Sequence, residues 1–258
     1  MKAFVALMAV AGSAGAAPRL PAQVFSIKSV TASSTYAGKG YEAWRLVENT
    51  YERSMDMTTS SAYYSWCEGK KDEGIGEGVT IELYEPTQID HITLAPGVQR
   101  TEKLFAKNNQ ITKITVSVDD KSQTMVITPK YGATIDVKIG AKVTKLGIKI
   151  AAVTKGQDND SCFSEVTIAS PGAAEVSVPL VVGISPAAWG KLGPVLDALI
   201  KKQAPNGDPD DERGYRVEGK GPGIVTITFP AHRDTLDQWT MEWKNEKWTR
   251  KSIGKEEW

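Results

Sequence analysis

The chain has 258 residues, of which 41% are hydrophobic, and its 31 Lys and Arg residues are balanced by 31 Asp and Glu residues. A net charge of zero excludes the broadly basic surface that non-specific binding to nucleic acid or to anionic membranes requires. The length suffices for one large domain or two small ones.

The N-terminus has the three parts of a secretory signal peptide. Met1-Lys2 is a short basic start, residues 3–11 form an apolar run, and Ala14-Gly15-Ala16 is a small-residue cleavage pattern. The run is too short to span a bilayer, and no later stretch approaches that length. The sequence therefore predicts a signal peptide over residues 1–17, cleaved near Ala16-Ala17, and a secreted or periplasmic bacterial protein that does not span the membrane. A buried N-terminal strand or helix is the alternative.

The chain contains two cysteines, Cys67 and Cys162. In an exported protein an even number of cysteines favours a disulfide. The bridge would close a loop of 95 residues, to which the chain-entropy relation assigns roughly 4–5 kcal/mol. Two separate buried thiols are the alternative. A zinc site is not favoured, because neither His91 nor His232 stands at metal-motif spacing from the cysteines.

Short alternating segments fill the first two thirds of the chain. An extended piece at 23–30 and a helical turn near 42–47 precede strand candidates at 79–83, 89–94, 111–118, 124–127, 134–139, 145–151 and 163–168. Many short strands at spacings near ten residues, with turn residues between them, predict an antiparallel sandwich or barrel over residues 18–170.

The composition changes at 171–175, where Pro, Gly and small residues predict a linker. Residues 176–258 then predict a small α+β domain. Its elements are a strand at 176–184, a helix at 186–202 with an apolar stripe, strands at 215–217 and 224–229, and a hairpin of 239–243 and 248–253 with a four-residue connection.

Three tryptophans stand out in this second domain. Trp239, Met241 and Trp243 share one strand face, and Trp248 can join them across the hairpin. A core under the helix and an exposed aromatic platform for a glycan or peptide are the two interpretations.

Several segments of the first domain together resemble a known family. They are residues 32–36 (Ala-Ser-Ser-Thr-Tyr), Tyr41-Glu42-Ala43, Trp66-Cys67-Glu68-Gly69, 74–78 (Gly-Ile-Gly-Glu-Gly), 105–111, 118–121 and 160–166. The set resembles a discoidin-like, coagulation-factor type C domain over residues 28–170. It is most similar to the bacterial subgroup named for the translocation domain of streptococcal NAD glycohydrolase. The resemblance implies an eight-stranded jelly-roll sandwich with a glycan-binding role and no catalytic activity.

Two segments depart from that family. Glu48-Asn49 replaces the usual Asp-Gly and is followed by a longer insert through Tyr64, and residues 95–98 (Ala-Pro-Gly-Val) replace an Asn-Gly-Tyr run. Both departures fall near the expected binding rim, so they leave the fold prediction intact and leave the ligand open. Residues 176–258 resemble no family.

Sugar recognition needs an aromatic face for the apolar side of the ring and fixed polar groups for its hydroxyls. The aromatic candidates are Tyr41, Tyr63, Tyr64 and Trp66, and the polar ones are Glu68, Arg100, Lys107, Asn108 and Asn109. Trp66 has a core position as its alternative, because it stands just before a Cys. For Asn108 and Asn109 the alternative interpretation is that they cap a turn.

Other patterns predict structure rather than chemistry. The glycine run at 74–78 precedes a strand and lacks dinucleotide spacing, so it indicates a tight entry into that strand. Asp158 and Asp160, with nearby carbonyls, are candidate ligands for a structural Ca²⁺, with a solvated acidic turn as the alternative. No other cofactor is expected.

The sequence lacks the nucleophile elbow, the His-Glu-x-x-His pattern and the phosphate loop of common enzymes. The leading hypothesis is an exported, non-catalytic binding protein that recognises a carbohydrate or another cell-envelope ligand through sandwich rim loops. A protein partner would dock on the C-terminal domain. The alternatives are an envelope glycan hydrolase with its active site in residues 176–258 and a structural protein–protein interaction module.

Overall fold

The structure is a computed structural model that describes residues 24–38, 40–47, 65–170, 180–203, 216–232 and 235–257. The predicted signal peptide, the linker at 171–175, Tyr63 and Tyr64 lie outside the described residues. Within the described ranges the chain is mainly antiparallel β-structure, as the sequence predicts. No helix among those residues is long and apolar enough to cross a membrane.

An eight-stranded sheet is formed by described strands between residues 25 and 182. Its strands are β1 (Phe25–Ala32), β2 (Trp66–Cys67), β3 (Gly78–Pro96), β4 (Gln110–Val118), β5 (Lys121–Val126), β6 (Ile135–Thr154), β7 (Cys162–Ala169) and β8 (Leu180–Val182). A four-stranded sheet contains β9 (Arg216–Gly221), β10 (Ile224–His232), β11 (Thr235–Lys244) and β12 (Lys247–Glu257). The helices are a 3₁₀ turn at Ala43–Val47, α1 (Glu102–Lys107), α2 (Pro186–Gly190) and α3 (Leu192–Gln203).

The long strands β3 and β6 belong to both layers of the sandwich. Residues 78–82 pair with 145–149 and lie beside β1, whereas residues 87–94 pair with 135–143 and lie beside β7. The register shifts between Glu82 and Thr87, where the pair passes from one layer to the other. The sequence predicted two short strands in each case. The structure joins them, and between the predicted pieces Thr87 and Gln88 of β3 pair with Val143 and Lys142 of β6.

The core lies between the two layers. The alternating apolar residues of the paired strands supply it, among them Ile81, Ile92, Ile114, Ile148 and Val166. This is the period-2 pattern from which the strands were predicted.

Strand β8 connects the sandwich to the C-terminal unit. It pairs in parallel with β1, so that Leu180 lies opposite Phe25 and Val182 opposite Ile27. Leu180 and Val182 belong to the sandwich core, and Val181 between them belongs to the second core. Strand β8 therefore contributes side chains to both hydrophobic cores, because successive residues of a strand point to opposite faces.

The second core supports the core interpretation of the tryptophans. Trp239 and Met241 are almost fully buried, and the Trp248 indole N–H donates to the Ala188 carbonyl oxygen at 2.8 Å. Trp243 is half-buried, and its ring centroid lies 5.4 Å from that of Trp248.

Two local predictions in this unit are wrong. The hairpin connection has two residues rather than four, because Asn245 and Glu246 both adopt positive φ (50° and 59°), as a tight hairpin turn requires. The predicted helix at 186–202 is two helices, since Lys191 caps α2 before α3 begins.

Candidate functional site

Four loops meet at one end of the sandwich, which we call the rim: residues 33–38 with 40–41, 68–77, 97–109 and 155–161. Strand pairing brings them together, because Ala32 pairs with Val79, and Gln110 pairs with Thr154 at the same end of the sheet. The rim therefore contains most of the residues that the sequence proposed as ligand contacts.

The predicted disulfide is present and holds the centre of the rim. Cys67 and Cys162 are bonded, and they are register partners in β2 and β7. Backbone hydrogen bonds attach two loops to these strands: Tyr36 N–H donates to Cys67 O at 2.9 Å, and Gly97 N–H to Cys162 O at 2.8 Å. Next to the bridge, Glu68 N–H donates to Ser161 O at 3.2 Å and joins the other two loops to each other. The loops are consequently fixed to a cross-linked strand pair.

Trp66 lies in the sandwich core rather than on the rim surface. Its side chain is fully buried and stacks on Phe163, with 6.2 Å between the ring centroids. Its indole N–H donates to the Ser34 carbonyl oxygen at 2.9 Å. The structure therefore corrects the prediction of a ligand contact, because no face of this ring is open to a sugar. Trp66 instead positions the first rim loop.

Asn108 and Asn109 are likewise buried and hold loops in place. The Asn108 side chain donates to Leu104 O at 2.8 Å and so closes α1. Asn109 donates to Ser161 Oγ at 3.2 Å and accepts from Gly156 N–H at 2.9 Å. The capping interpretation applies to Asn108, and the predicted ligand contact is corrected for both, since their amides are used within the rim.

Glu68 is a fully buried carboxyl beneath the rim. Its Oε2 accepts from Lys70 N–H at 2.6 Å, but its Oε1 has no hydrogen-bond partner within the described residues. Burial raises the pKa of Glu68, and the charges of Asp160 and Asp72 raise it further, against the backbone N–H groups of Lys70 and Ser161. The predicted contact between Glu68 and a ligand is thus corrected to a buried position.

Gly74 seals Glu68 from solvent. It adopts a φ of +67°, and a Cβ added there would lie 2.4 Å from Glu68 Cγ. Only glycine satisfies both conditions without strain. The glycine run therefore has the structural role that the sequence indicated, as a tight entry into β3.

Lys107, a predicted ligand contact, forms an ion pair with Asp158, a candidate Ca²⁺ ligand. Lys107 Nζ lies 2.9 Å from Asp158 Oδ2. Burial, and then the charge of Asp158, raise the pKa of Asp160. Among the residues that the structure describes, no group of three or more His, Cys, Asp or Glu side chains is placed to hold a metal ion.

The aromatic surface of the rim is a tyrosine pair in the first loop. Tyr36 is 44% exposed, Tyr41 is half-buried, and their rings meet edge to face with centroids 5.0 Å apart. Gly38 lies against both rings, since a Cβ there would be 2.9 Å from Tyr41 and 3.0 Å from Tyr36. Tyr36 is not among the sequence's site candidates, although two tyrosines in a glycine-containing loop were a usable signal.

Arg100 is exposed on another rim loop, as a ligand contact would be. Its neighbour Gln99 fixes that loop from within. The buried Gln99 amide donates to Pro96 O at 2.6 Å and accepts from Gly132 N–H at 2.9 Å. Sequence reasoning missed this positioning residue, because a glutamine in a loop carries no pattern that predicts burial.

A family model described as the NAD glycohydrolase translocation F5/8 type C domain matches residues 24–169. Because this match covers more than half of the chain, the protein belongs to that family. The family and the antiparallel sandwich confirm the resemblance noted in the sequence.

Carbohydrate-binding modules are among the solved structures that the chain matches. The CBM32-1 and CBM32-2 domains of Clostridium perfringens ZmpB are 13% identical with a TM-score of 0.42, and the match covers 56% of this chain and 34% of that one. The family 32 module of C. perfringens NanJ, in complex with galactose, is 12% identical with a TM-score of 0.37, covering 54% and 91%. The arabinofuranosyltransferase AftD from Mycobacteria is 13% identical with a TM-score of 0.43, covering 57% of this chain but only 11% of the transferase. No curated protein matches the chain in sequence.

Proposed function

We propose that this protein is an exported, non-catalytic binding protein that recognises a carbohydrate of the cell envelope through its rim. The observation that carries the proposal is the Tyr36–Tyr41 pair, which is presented at the surface by a loop fixed to the disulfide-linked strands. A tyrosine ring packs against the apolar face of a sugar, and its hydroxyl exchanges hydrogen bonds with sugar hydroxyls.

The start of the loop that bears the tyrosines is held by the neighbouring 68–77 loop. Ser34 Oγ accepts from Gly69 N–H at 3.0 Å, and Ser33 Oγ donates to Glu77 Oε2 at 2.6 Å. Little conformational entropy is then lost when a ligand binds, which favours affinity from a small contact area. Arg100 supplies an exposed cationic donor on a separate loop.

The burial of Glu68 favours binding over catalysis by this carboxyl. Of the two rim carboxyls with a raised pKa, Glu68 is sealed beneath Gly74, where no substrate oxygen reaches it. A general acid must lie within hydrogen-bond reach of the proton it transfers. Export is supported by the disulfide, because such bridges persist in oxidising compartments. Docking of a protein partner on the C-terminal unit stays a prediction.

A glycan-array measurement on the purified protein tests the proposal, with and without Ca²⁺. The matched variants are Tyr36→Ala with Tyr41→Ala, and Tyr84→Ala as a control, because Tyr84 is 37% exposed but lies in β3 at the bend, away from the rim. We expect saturable binding that the double variant loses and the control keeps. Absence of binding to every glycan would reject the carbohydrate ligand in favour of a protein-partner module.

A further inference from the structure

The sandwich is open along one side, away from the rim. Strand β5 is the last strand of one layer, and among the described strands it pairs with β4 alone. Residues 135–143 of β6 pair with β3 on one side, whereas β4 pairs only with the later residues 146–154. The two layers therefore each end in a strand edge on this side, and a gap remains between the edges.

A cleft of about 270 Å³ lies in this gap. Its apolar lining comes from the inward-facing residues of three strands, namely Val116, Val118, Met125, Val137, Ile139 and Ala141. Val118, Met125 and Ile139 pack against the sandwich core but are only partly buried. The cleft is thus an uncovered part of the core, near the lower end of the volumes of small-ligand sites.

The polar lip of the cleft carries positive charge only. Lys121 and Lys138 line it from opposite layers, together with Ser122 and Gln123, and no Asp or Glu is among its lining residues. Both lysines are exposed, and neither forms an ion pair within the described part of the chain. Because Lys121 pairs with Val118 across the β4–β5 ladder, its side chain starts on the face that forms the apolar floor.

We propose that this cleft binds an amphipathic anion, with a linear alkyl chain between the two layers and a carboxylate head at Lys121 and Lys138. The apolar walls gain from burying methylene groups, and the two ammonium groups complement one negative charge. A sugar would leave its hydroxyls unpaired against these walls, and a cation would meet two like charges. The site is independent of the carbohydrate site proposed at the rim.

Isothermal titration with decanoate, below its micelle concentration, tests the proposal on the full protein. We expect one saturable site, and a Kd that rises about fourfold for each methylene removed in the nonanoate and octanoate series. Decyltrimethylammonium, which has the same chain with a positive head, should bind far more weakly. The absence of saturable decanoate binding, or equal binding of the cation, would overturn the proposal.

Two sets of variants place the ligand. Ala141→Phe fills the cleft and should abolish binding, with circular dichroism as the check on folding. Lys121→Gln with Lys138→Gln keeps the exposed surface intact and should raise Kd about three- to tenfold, less so at high salt. Lys142→Gln is the matched control, since Lys142 is exposed on the same strand but does not line the cleft. Decanoate affinity that is unchanged in the double lysine variant, or retained in folded Ala141→Phe, would refute the site.

Discussion

Removal of the disulfide by Cys67→Ala with Cys162→Ala is the perturbation whose size follows most directly from the fold. Both cysteines are buried, at 2% and 0% exposure, so alanine avoids the unpaired buried hydroxyl that serine would introduce. Strand β2 has only two residues, and both pair with β7 beside the bridge. The bridge therefore adds a covalent link to the other attachments of residues 65–69, which are the β2–β7 pairing and the buried Trp66 side chain.

The expected loss is set by the sequence separation of 95 between the two cysteines. The chain-entropy relation gives about 4.7 kcal/mol for a loop of this length. Residual structure in the unfolded chain lowers the value, so we expect a loss of about 3–5 kcal/mol in the free energy of unfolding. At about 2–4 °C per kcal/mol for a chain of this size, Tm should fall by roughly 6–20 °C.

Equilibrium urea denaturation, followed by tryptophan fluorescence, measures this loss. The wild-type protein in a reducing agent serves as the control and should match the variant, because both lack the same cross-link. The slope of the free energy against urea concentration should also rise, since the uncrosslinked chain exposes more surface on unfolding. A loss below about 1 kcal/mol, or a wild-type protein indifferent to reduction, would refute the reasoning.

Three further substitutions test the construction of the rim. Glu68→Gln should stabilise the protein at neutral pH, on the order of 1 kcal/mol, because it removes a buried charge whose Oε1 is unpaired. The folded-state pKa of Glu68 is raised above 4.5, so the wild-type protein loses stability as pH rises from about 4.5 through that pKa. The curve of stability against pH should therefore diverge between the wild-type protein and Glu68→Gln. Parallel curves would contradict the burial of the carboxyl. Asn109→Ala should lower the free energy of unfolding, measured by chemical denaturation, by about 1–3 kcal/mol, because it leaves Gly156 N–H without its acceptor. A change within about 0.5 kcal/mol would show that the Asn109 amide does not hold the 155–161 loop. Gly38→Ala should displace the Tyr36 and Tyr41 rings and weaken glycan binding severalfold, with Tm nearly unchanged. Unaltered glycan affinity would show that the tyrosine pair is not part of the binding site.

The strands were predictable from the sequence wherever one face is buried, because period-2 alternation follows directly from the pleat. The alternation in 111–118 became β4, and the even pair of cysteines became a disulfide between register partners. Continuity through bends was not predictable, since residues 84–88 carry no alternation and yet join two predicted strands into β3. The two-residue hairpin was missed because Asn245-Glu246 lacks the glycine that usually signals such a turn.

The rim was predicted as a region but not residue by residue. The structure places most of the predicted site residues in the rim loops, whereas polar character misjudged burial in Glu68 and Asn109. A polar side chain can be buried wherever loops supply backbone partners, and those partners are distant in sequence. Tyr36 was overlooked because an aromatic residue is usually expected to be buried. Its exposure depends on where the loop lies and not on a pattern in the sequence.

The most direct test of the central claim is a titration of the strongest glycan from the array against the wild-type protein, Tyr36→Ala and Tyr84→Ala. If the rim tyrosines form the binding surface, the Kd of Tyr36→Ala should rise tenfold or more, as expected for an aromatic that anchors an interface, while Tyr84→Ala keeps the wild-type value. Equal affinity in all three proteins would contradict a carbohydrate site at the tyrosine pair.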